Sequence, residues 1–276
     1  MQTAPVPTAT SGRTALEVAR SCAREAGGRA LAQFRLPKEV TVKGRGDLVT
    51  ETDLEIEAYL QRTLAQEFPE HRMLSEETSA ETDTAGWVWV IDPIDGTRNF
   101  VSGVPFFCVS LALCHDGEPV VAVTHDPNQN ETFWAERGHG AWVNDEPLRA
   151  SGQPTVEASV LGFGLGYDDQ RARALLALLH RLYPGVQTLR DLGSAALGLA
   201  YAAAGRHDLF LHSHLFAWDI AAGILLVREA GGTITDGAGL DPSLASQSVI
   251  AGGTASHADF LRWQQEQGLN LADPAI

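Results

Sequence analysis

Two rhythms of apolar positions divide this chain. Between Thr14 and Phe34, the positions Leu16, Ala19, Ala23, Ala26, Ala30 and Phe34 recur at the spacing of one helix face. Ile56, Leu60 and Leu64 repeat that spacing from Leu54 to Phe68, with Asp53 placed to cap the second helix. The turn-rich segment LPKEVTVKGRGDLVTETD between them predicts a hairpin.

From Trp87 the rhythm shortens. WVWVID, FFCVSLALC, PVVAVTHD and ETFWAERG are β-branched or aromatic runs separated by Gly, Asp, Asn and Pro, and they predict consecutive, partly antiparallel strands. AWVNDEPL adds a hairpin on an Asn-Asp turn. Beyond about residue 155, strands and helices alternate. Strand ASVLGFG precedes a helix from Asp169 to Leu182; strand VQTLR, a helix from Ser194 to Ala204; strand DLFLH, a helix from Asp219 to Ala230. GTITD and SVIAGG read as strands, and Ala255 to Gln267 as a closing helix. This order predicts a layered α/β fold with a mixed sheet in each half. The expected divisions are a disordered lead-in over residues 1–12, an α+β subdomain over 13–150 and an α/β subdomain over 151–276. GFGLG, Gly162 to Gly166, lacks the spacing of a dinucleotide-binding turn and reads as a flexible loop beside a pocket.

The 276 residues are 44% hydrophobic and 20% charged, enough for a substantial core. A net charge of −15 argues against loose binding to nucleic acid or to an anionic membrane, which would both repel the protein. It does not argue against a small phosphate ester, since bound cations reverse a local field. Cys22, Cys108 and Cys114 form no CxxC pair and read as buried free thiols. The first residues, MQTAPVPTATSG, lack the basic and apolar regions of a secretory signal, and the apolar run Val104 to Cys114 is too short and broken to span a bilayer. The expected compartment is the cytoplasm, with neither nucleic acid nor membrane as a partner.

The candidate chemistry lies in WVIDPIDGTRNF. Asp92 ends an apolar run, Pro93 restricts the next φ, and Asp95 follows after one residue. Two converging carboxylates ~4 Å apart would repel by about 4 kcal/mol at an effective dielectric near 20 and would need a proton or a cation between them. Hard oxygen donors without neighbouring Cys or clustered His favour Mg²⁺ or Mn²⁺ over zinc. An ordinary Asx turn reads equally well from these residues alone. Glu76 and Glu77 in LSEET read as solvated charges, and Asp53 and Asp219 as helix N-caps, until the segments are taken together.

Taken together, GDLVTETD, LSEET, WVIDPIDGTRNF, RDLGSAAL and WDIAAGILLVREAGG resemble the inositol monophosphatase family of magnesium-dependent, lithium-sensitive sugar-phosphate phosphatases, over Lys43 to Gly232. The resemblance implies an αβαβα sandwich of two packed subdomains with mixed sheets. It implies a first metal on Glu76, Asp92 and the Ile94 carbonyl, and a second on Asp92, Asp95 and Asp219, with a third, weaker one near Glu76: two to three Mg²⁺ per site, Mn²⁺ being a possible substitute. Thr97 and Asp53 then orient the attacking water as catalytic residues with Glu76. Asp95, Gly96, Thr97, Gly193, Ala195, His212 and Asp219 meet the substrate, a small phosphorylated metabolite, in a protein expected to be a homodimer.

One position departs from the family pattern. Members acting on inositol phosphates carry a glutamate seven residues before the metal aspartate, and here that residue is His212, which donates as well as accepts and lacks a fixed charge. Inositol 1-phosphate therefore stands beside fructose 1,6-bisphosphate, histidinol phosphate and 3′-phosphoadenosine nucleotides as candidate substrates. His212 and His214 face one side if on a strand. Arg98 reads as a carboxylate partner, ahead of a contact to a second anionic group on the substrate, and Lys43 either as a loop lysine that softens the carboxylate field or as a solvated one. A non-catalytic sugar-phosphate-binding protein is the reading of another class. It predicts loss of a metal ligand or of the water-orienting pair, and all of those residues are present. A two-metal nuclease fits the carboxylates but not the acidic surface.

Overall fold

The first helix, α1 (Ala15–Gln33), starts at a reciprocal cap. The Thr14 hydroxyl takes the Glu17 amide at 3.1 Å and the Glu17 carboxylate takes the Thr14 amide at 2.8 Å, an arrangement worth about 1 kcal/mol. The computed structural model describes residues 5–44, 47–78 and 83–273. Residues 1–4 of the expected lead-in lie outside the described residues. Residues 5–12 are not disordered: Ala9 is buried, and the Thr10 amide donates to the Glu67 carbonyl at 2.9 Å.

After α1 the hairpin β1 (Val40–Gly44) and β2 (Asp47–Thr50) stands apart, and α2 (Glu51–Glu67) follows. Next come β3 (Arg72–Ser75), β4 (Trp87–Asp95) and a short α3 (Thr97–Ser102). The meander β5 (Cys108–His115), β6 (Glu118–Asp126), β7 (Glu131–Glu136), β8 (Ala141–Val143) and β9 (Glu146–Pro147) completes a seven-stranded sheet in the order β3-β4-β5-β6-β7-β8-β9. It is antiparallel except for the parallel β3/β4 pair.

The second half contains β10 (Val160–Gly164), α4 (Asp169–Leu182), β11 (Thr188–Asp191), α5 (Ala195–Ala203), β12 (Leu209–His212) and α6 (Ala217–Glu229). The chain closes with β13 (Thr233–Thr235), β14 (Val249–Gly252) and α7 (Thr254–Glu266). Its five strands run β11-β10-β12-β14-β13, parallel through β11, β10 and β12 and antiparallel at β14. Both sheets are mixed, as the alternation of elements predicts.

Three apolar clusters set the layers. Ile56, Leu60 and Leu64 of α2 join Ala19, Ala23 and Ala26 of α1 against Trp89, Ile91 and Leu111 on one face of the large sheet. On its other face Val88, Val90 and Ala112 meet Leu197, Leu199, Ile224 and Val227 of α5 and α6. Leu175, Leu178 and Phe260 of α4 and α7 cover the outer face of the small sheet. The result is an αβαβα sandwich. The central helices are apolar on nearly every side because both faces are covered, and each fully buried Leu or Ile contributes about 1.5–3 kcal/mol. β4 is continuously apolar for the same reason.

Two helix starts differ from the sequence reading. α2 is capped by Thr50 rather than Asp53, and α6 begins at Ala217 behind Phe216, so Asp53 and Asp219 both occupy the third helical position. Within GFGLG the expected strand ASVLGFG holds as far as Gly164, so the expected loop is confined to Leu165 and Gly166. Gly162 and Gly164 belong to β10, and added Cβ atoms there would lie 2.4 Å from the His207 ring and 2.3 Å from the His212 ring. The glycines make room for imidazoles instead of supplying a flexible loop.

Candidate active site

In a regular strand, residues three apart point to opposite faces, so Asp92 and Asp95 of β4 should diverge. Pairing with β5 shows why they do not. Asp92 faces Ser110 and Asp95 faces Cys108, three steps on β4 against two on β5. The extra residue is a β-bulge at Pro93-Ile94, where proline's missing N–H is tolerated, and it turns both carboxylates toward α5 and α6. Ile94 points the other way, into the α1/α2 core.

β3 supplies the next acid. Its parallel register with β4 brings Ser75 beside Ile91, and the Glu76 amide donates to the Ile91 carbonyl at 3.2 Å, so Glu76 leaves the sheet next to Asp92. Asp219 arrives from α6. Its Oδ2 accepts the Phe216 amide at 2.7 Å, which fixes the side chain at the helix start. Carboxylate oxygens of Asp92, Asp95 and Asp219 lie within 4.8 Å of one another, and among the described residues this is the grouping that could hold a metal ion. His212 and His214 join no such cluster.

Asp53 and Thr97 stand beside the triad. Asp53 Oδ2 accepts the Thr50 amide at 2.9 Å and the Thr50 hydroxyl, which leaves Oδ1 facing the Thr97 hydroxyl at 3.2 Å. Thr97 Oγ1 is also 2.9 Å from the Ile94 carbonyl, so one proton serves two acceptors. Gly96, with φ +93°, makes the turn from β4 into α3, and a Cβ there would press on the Phe106 carbonyl at 3.1 Å.

Electrostatics set these groups apart from ordinary surface carboxylates. Burial first, and then the charges of Glu76, Asp95 and Asp219, push the Asp92 carboxyl well above its usual range. Burial raises Glu76 to about 8 against the pull of Lys43, and burial together with Asp95 raises Asp219 to about 8. Asp95 is also raised by burial, although hydrogen bonds hold it back: its oxygens take the Ser194 hydroxyl, the Ala195 amide at 3.2 Å and the Ala196 amide at 2.8 Å. Lys43 is no solvated loop residue. It bonds Glu76 at 3.3 Å and Glu77 at 3.0 Å, and these partners raise its pKa although burial alone would lower it.

Asp92 Oδ1 is buried without any hydrogen-bond partner. An orphaned carboxylate oxygen beside two further carboxylates is costly for a protein unless a cation completes it. The donor set is all hard oxygen, which suits Mg²⁺ or Mn²⁺. The residues present fit such an ion.

A cavity of ≈260 Å³ reaches these groups, lined by Glu76, Asp92, Asp95, Thr97 and Asp219, with Tyr167 at its wall. A second cavity of ≈520 Å³ continues from it, sharing Asp95, Gly96, Tyr167 and Asp219 and extending past Gly193, Ala195 and His212. All the residues expected to meet substrate line one or both, and the Ala195 amide is already engaged by Asp95. Tyr167, Ser194 and Cys108 are neighbours that the sequence reading did not place at the carboxylate cluster. Tyr167 follows GFGLG with no motif around it; Ser194 is the α5 cap, accepting the Leu197 amide at 3.3 Å. Cys108 Sγ lies 3.7 Å from Asp95, and all three cysteines are buried and unpaired. Arg98 stacks 4.6 Å over the Tyr167 ring, and burial raises the Asp191 carboxyl against the smaller opposing pulls of the Gly193 amide and the Arg98 charge. No helix among the described residues is long and apolar enough to cross a membrane.

Known proteins resemble this chain in sequence and in fold. An inositol-1-monophosphatase of Mesorhizobium japonicum is 41% identical over 216 residues, 78% of this chain and 81% of that protein. The Nus factor SuhB of Escherichia coli is 39% identical over 241 residues, 86% of this chain and 90% of that protein. The solved structure of an IMPase from Thermotoga maritima superposes with a TM-score of 0.83 at 34% identity, covering 91% of this chain and 96% of that one. Residues 12–269 match the inositol monophosphatase family, and the chain belongs to it.

Proposed function

We propose that the protein is a Mg²⁺-dependent phosphomonoesterase acting on a small phosphorylated metabolite. The observation that carries this reading is the convergence of Asp92, Asp95 and Asp219 within 4.8 Å, beside the hydrogen-bonded Thr97 and Asp53. Glu76, Asp92 and the Ile94 carbonyl would hold one cation, and Asp92, Asp95 and Asp219 a second. Bound there, divalent cations neutralise the phosphoryl oxygens and acidify the attacking water.

The chain's own groups do the rest. Asp53 Oδ1 and the Ile94 carbonyl share the Thr97 hydroxyl proton, which leaves a Thr97 lone pair to accept one proton of a water. That contact orients the water's oxygen toward phosphorus. Glu76, bonded by Lys43 at 3.3 Å, would act with this pair by holding its cation as a carboxylate. Donors of Gly96 and Thr97 hold the phosphate. Tyr167 and Trp218 wall the ≈260 Å³ cavity and limit the water that enters beside the ester.

The SuhB name of some relatives raises a non-catalytic reading, but that reading gives no account of an intact carboxylate set around an orphaned oxygen. The test is phosphate release from a panel of metabolite esters with Mg²⁺, with EDTA, and with added Li⁺. Hydrolysis that needs the metal, falls with Li⁺ and is abolished in Asp95→Asn and Asp219→Asn is expected. Undiminished turnover in either folded variant would sink the two-cation assignment.

A further inference from the structure

The ≈520 Å³ cavity has an acidic end at Asp95 and Asp219 and a different chemistry at the other end. His212 is 7% exposed, its Cδ2–Nε2 edge lying over Gly164, where only a glycine leaves room. The His214 amide donates to His212 Nδ1 at 3.3 Å. A neutral imidazole has one acceptor nitrogen and one N–H, so the proton sits on Nε2. Burial keeps the ring uncharged, lowering its pKa to about 3. Nε2 has no hydrogen-bond partner among the described residues, and the ring lines the cavity.

The neighbours reinforce this polarity. The Tyr167 amide reaches His214 Nδ1 at 3.5 Å, which places the His214 proton on Nε2 as well. Arg98 lines the same cavity, stacked on Tyr167. One carboxylate, Asp191, lies on this side, and Arg98 stands beside it. Away from the metal ligands His212, His214 and Arg98 supply donors to the cavity, and Asp191 and the Asn99 Oδ1 supply acceptors on a separate wall. A polyol hydroxyl that accepts from the His212 N–H must also find an acceptor for its own O–H, and His212 offers none. A carboxylate accepts only, and leaves nothing unpaired.

We propose that this cavity selects a phosphate monoester whose alcohol part carries an acceptor-only group, a carboxylate being the simplest, held by the Nε2–H of His212, in preference to a plain polyol phosphate. The proposal rests on the phosphatase reading and names its substrate class. His212 is then a specificity-determining residue, fixed by its backbone partner and by Gly164.

The test compares two esters on one skeleton, 3-phosphoglycerate and glycerol 3-phosphate, which differ in carboxylate against hydroxymethyl. Calorimetric titration of the protein loaded with Ca²⁺ reads binding without turnover. At least tenfold tighter binding of the carboxylate ester is expected. In His212→Glu the preference should fall at least tenfold, whereas His212→Gln, which keeps an N–H donor, should retain it. Equal affinities in the wild type, or an unchanged ratio in folded His212→Glu, overturn the proposal. If the Glu variant does not fold, loss of preference in His212→Gln overturns it instead. Phosphate release from the same pair under Mg²⁺ separates the two readings. Selective binding without hydrolysis of either ester, or of 4-nitrophenyl phosphate, removes the phosphatase and leaves the cavity assignment. Hydrolysis of both esters at equal kcat/KM does the reverse.

Discussion

Asp95 and Ala196, 101 residues apart, meet at 2.8 Å, with the β4 carboxylate accepting an amide at the start of α5. One of the clustered acids therefore also caps a central helix, and the two halves of the molecule are joined at the site itself. The Ser194 hydroxyl donates to the same oxygen of Asp95.

This contact predicts the effect of Ser194→Ala. Loss of the α5 cap should lower stability by about 1 kcal/mol. Loss of a hydrogen bond that orients Asp95, a carboxylate of the proposed cation site, should weaken divalent-ion affinity roughly 10–100-fold. Thermal melts and calorimetric metal titration read the two effects separately. Unchanged ion affinity would show that Asp95 needs no such support.

Asp92 should behave in the opposite way from an ordinary buried residue. Its Oδ1 is unpartnered and its neighbours are acids, so Asp92→Asn removes repulsion from the metal-free fold. The variant is expected to melt higher than the wild type in EDTA while losing about 10³-fold or more in turnover, since cation-borne transition-state stabilisation is worth several kcal/mol. A lower melting point in EDTA would contradict the account of crowded charge.

The same crowding gives a pH dependence. Glu76 and Asp219 titrate near 8 in the folded chain, above the ordinary carboxylate range. The folded state thus holds protons that the unfolded state has released. Their contribution to stability is complete below the unfolded pKa of about 4 and is lost as pH rises through about 8. Metal-free protein should lose melting temperature from pH 5 to pH 8, and saturating Mg²⁺ should flatten that slope. Differential scanning calorimetry across this range with and without EDTA checks it.

Gly164→Ala tests the packing that sets the His212 ring. The new methyl would lie 2.3 Å from Cδ2, so the ring or the strand must move. A loss of about 1–3 kcal/mol is expected, as for other overpacked cores. Adding His212→Ala should recover most of it, giving a non-additive cycle. Additive effects would place the strain elsewhere.

Much of the architecture was open to reading from local pattern. α4 spans Asp169–Leu182 in the sequence reading and in the fold, because five buried apolar positions recur on one face and Asp168 accepts the Arg171 amide at the cap. The strands of the meander follow their β-branched runs, and the Asn-Asp turn joins β8 to β9. β3 was missed, since its four residues carry too little alternation to stand out. The starts of α2 and α6 were misplaced because an acidic residue at the third position mimics an N-cap when only composition is visible. The pattern places Gly162 and Gly164 in both a strand and a loop; the strand is right, and the reason for glycine there lies in histidines about 45 residues away.

The order of residues alone determined which elements form and which side chains could do chemistry, because backbone preference and donor chemistry act over a few positions. It determined the carboxylates, the Thr97 hydroxyl and the imidazole that replaces an acid at 212. Tertiary structure decided which of them meet. The bulge at Pro93 turned Asp92 and Asp95 to one face, β3 laid Glu76 beside them, α6 delivered Asp219, and a backbone amide chose the tautomer of His212. Proximity between groups over 100 residues apart is a property of packed layers, and no local rule of propensity or spacing contains it.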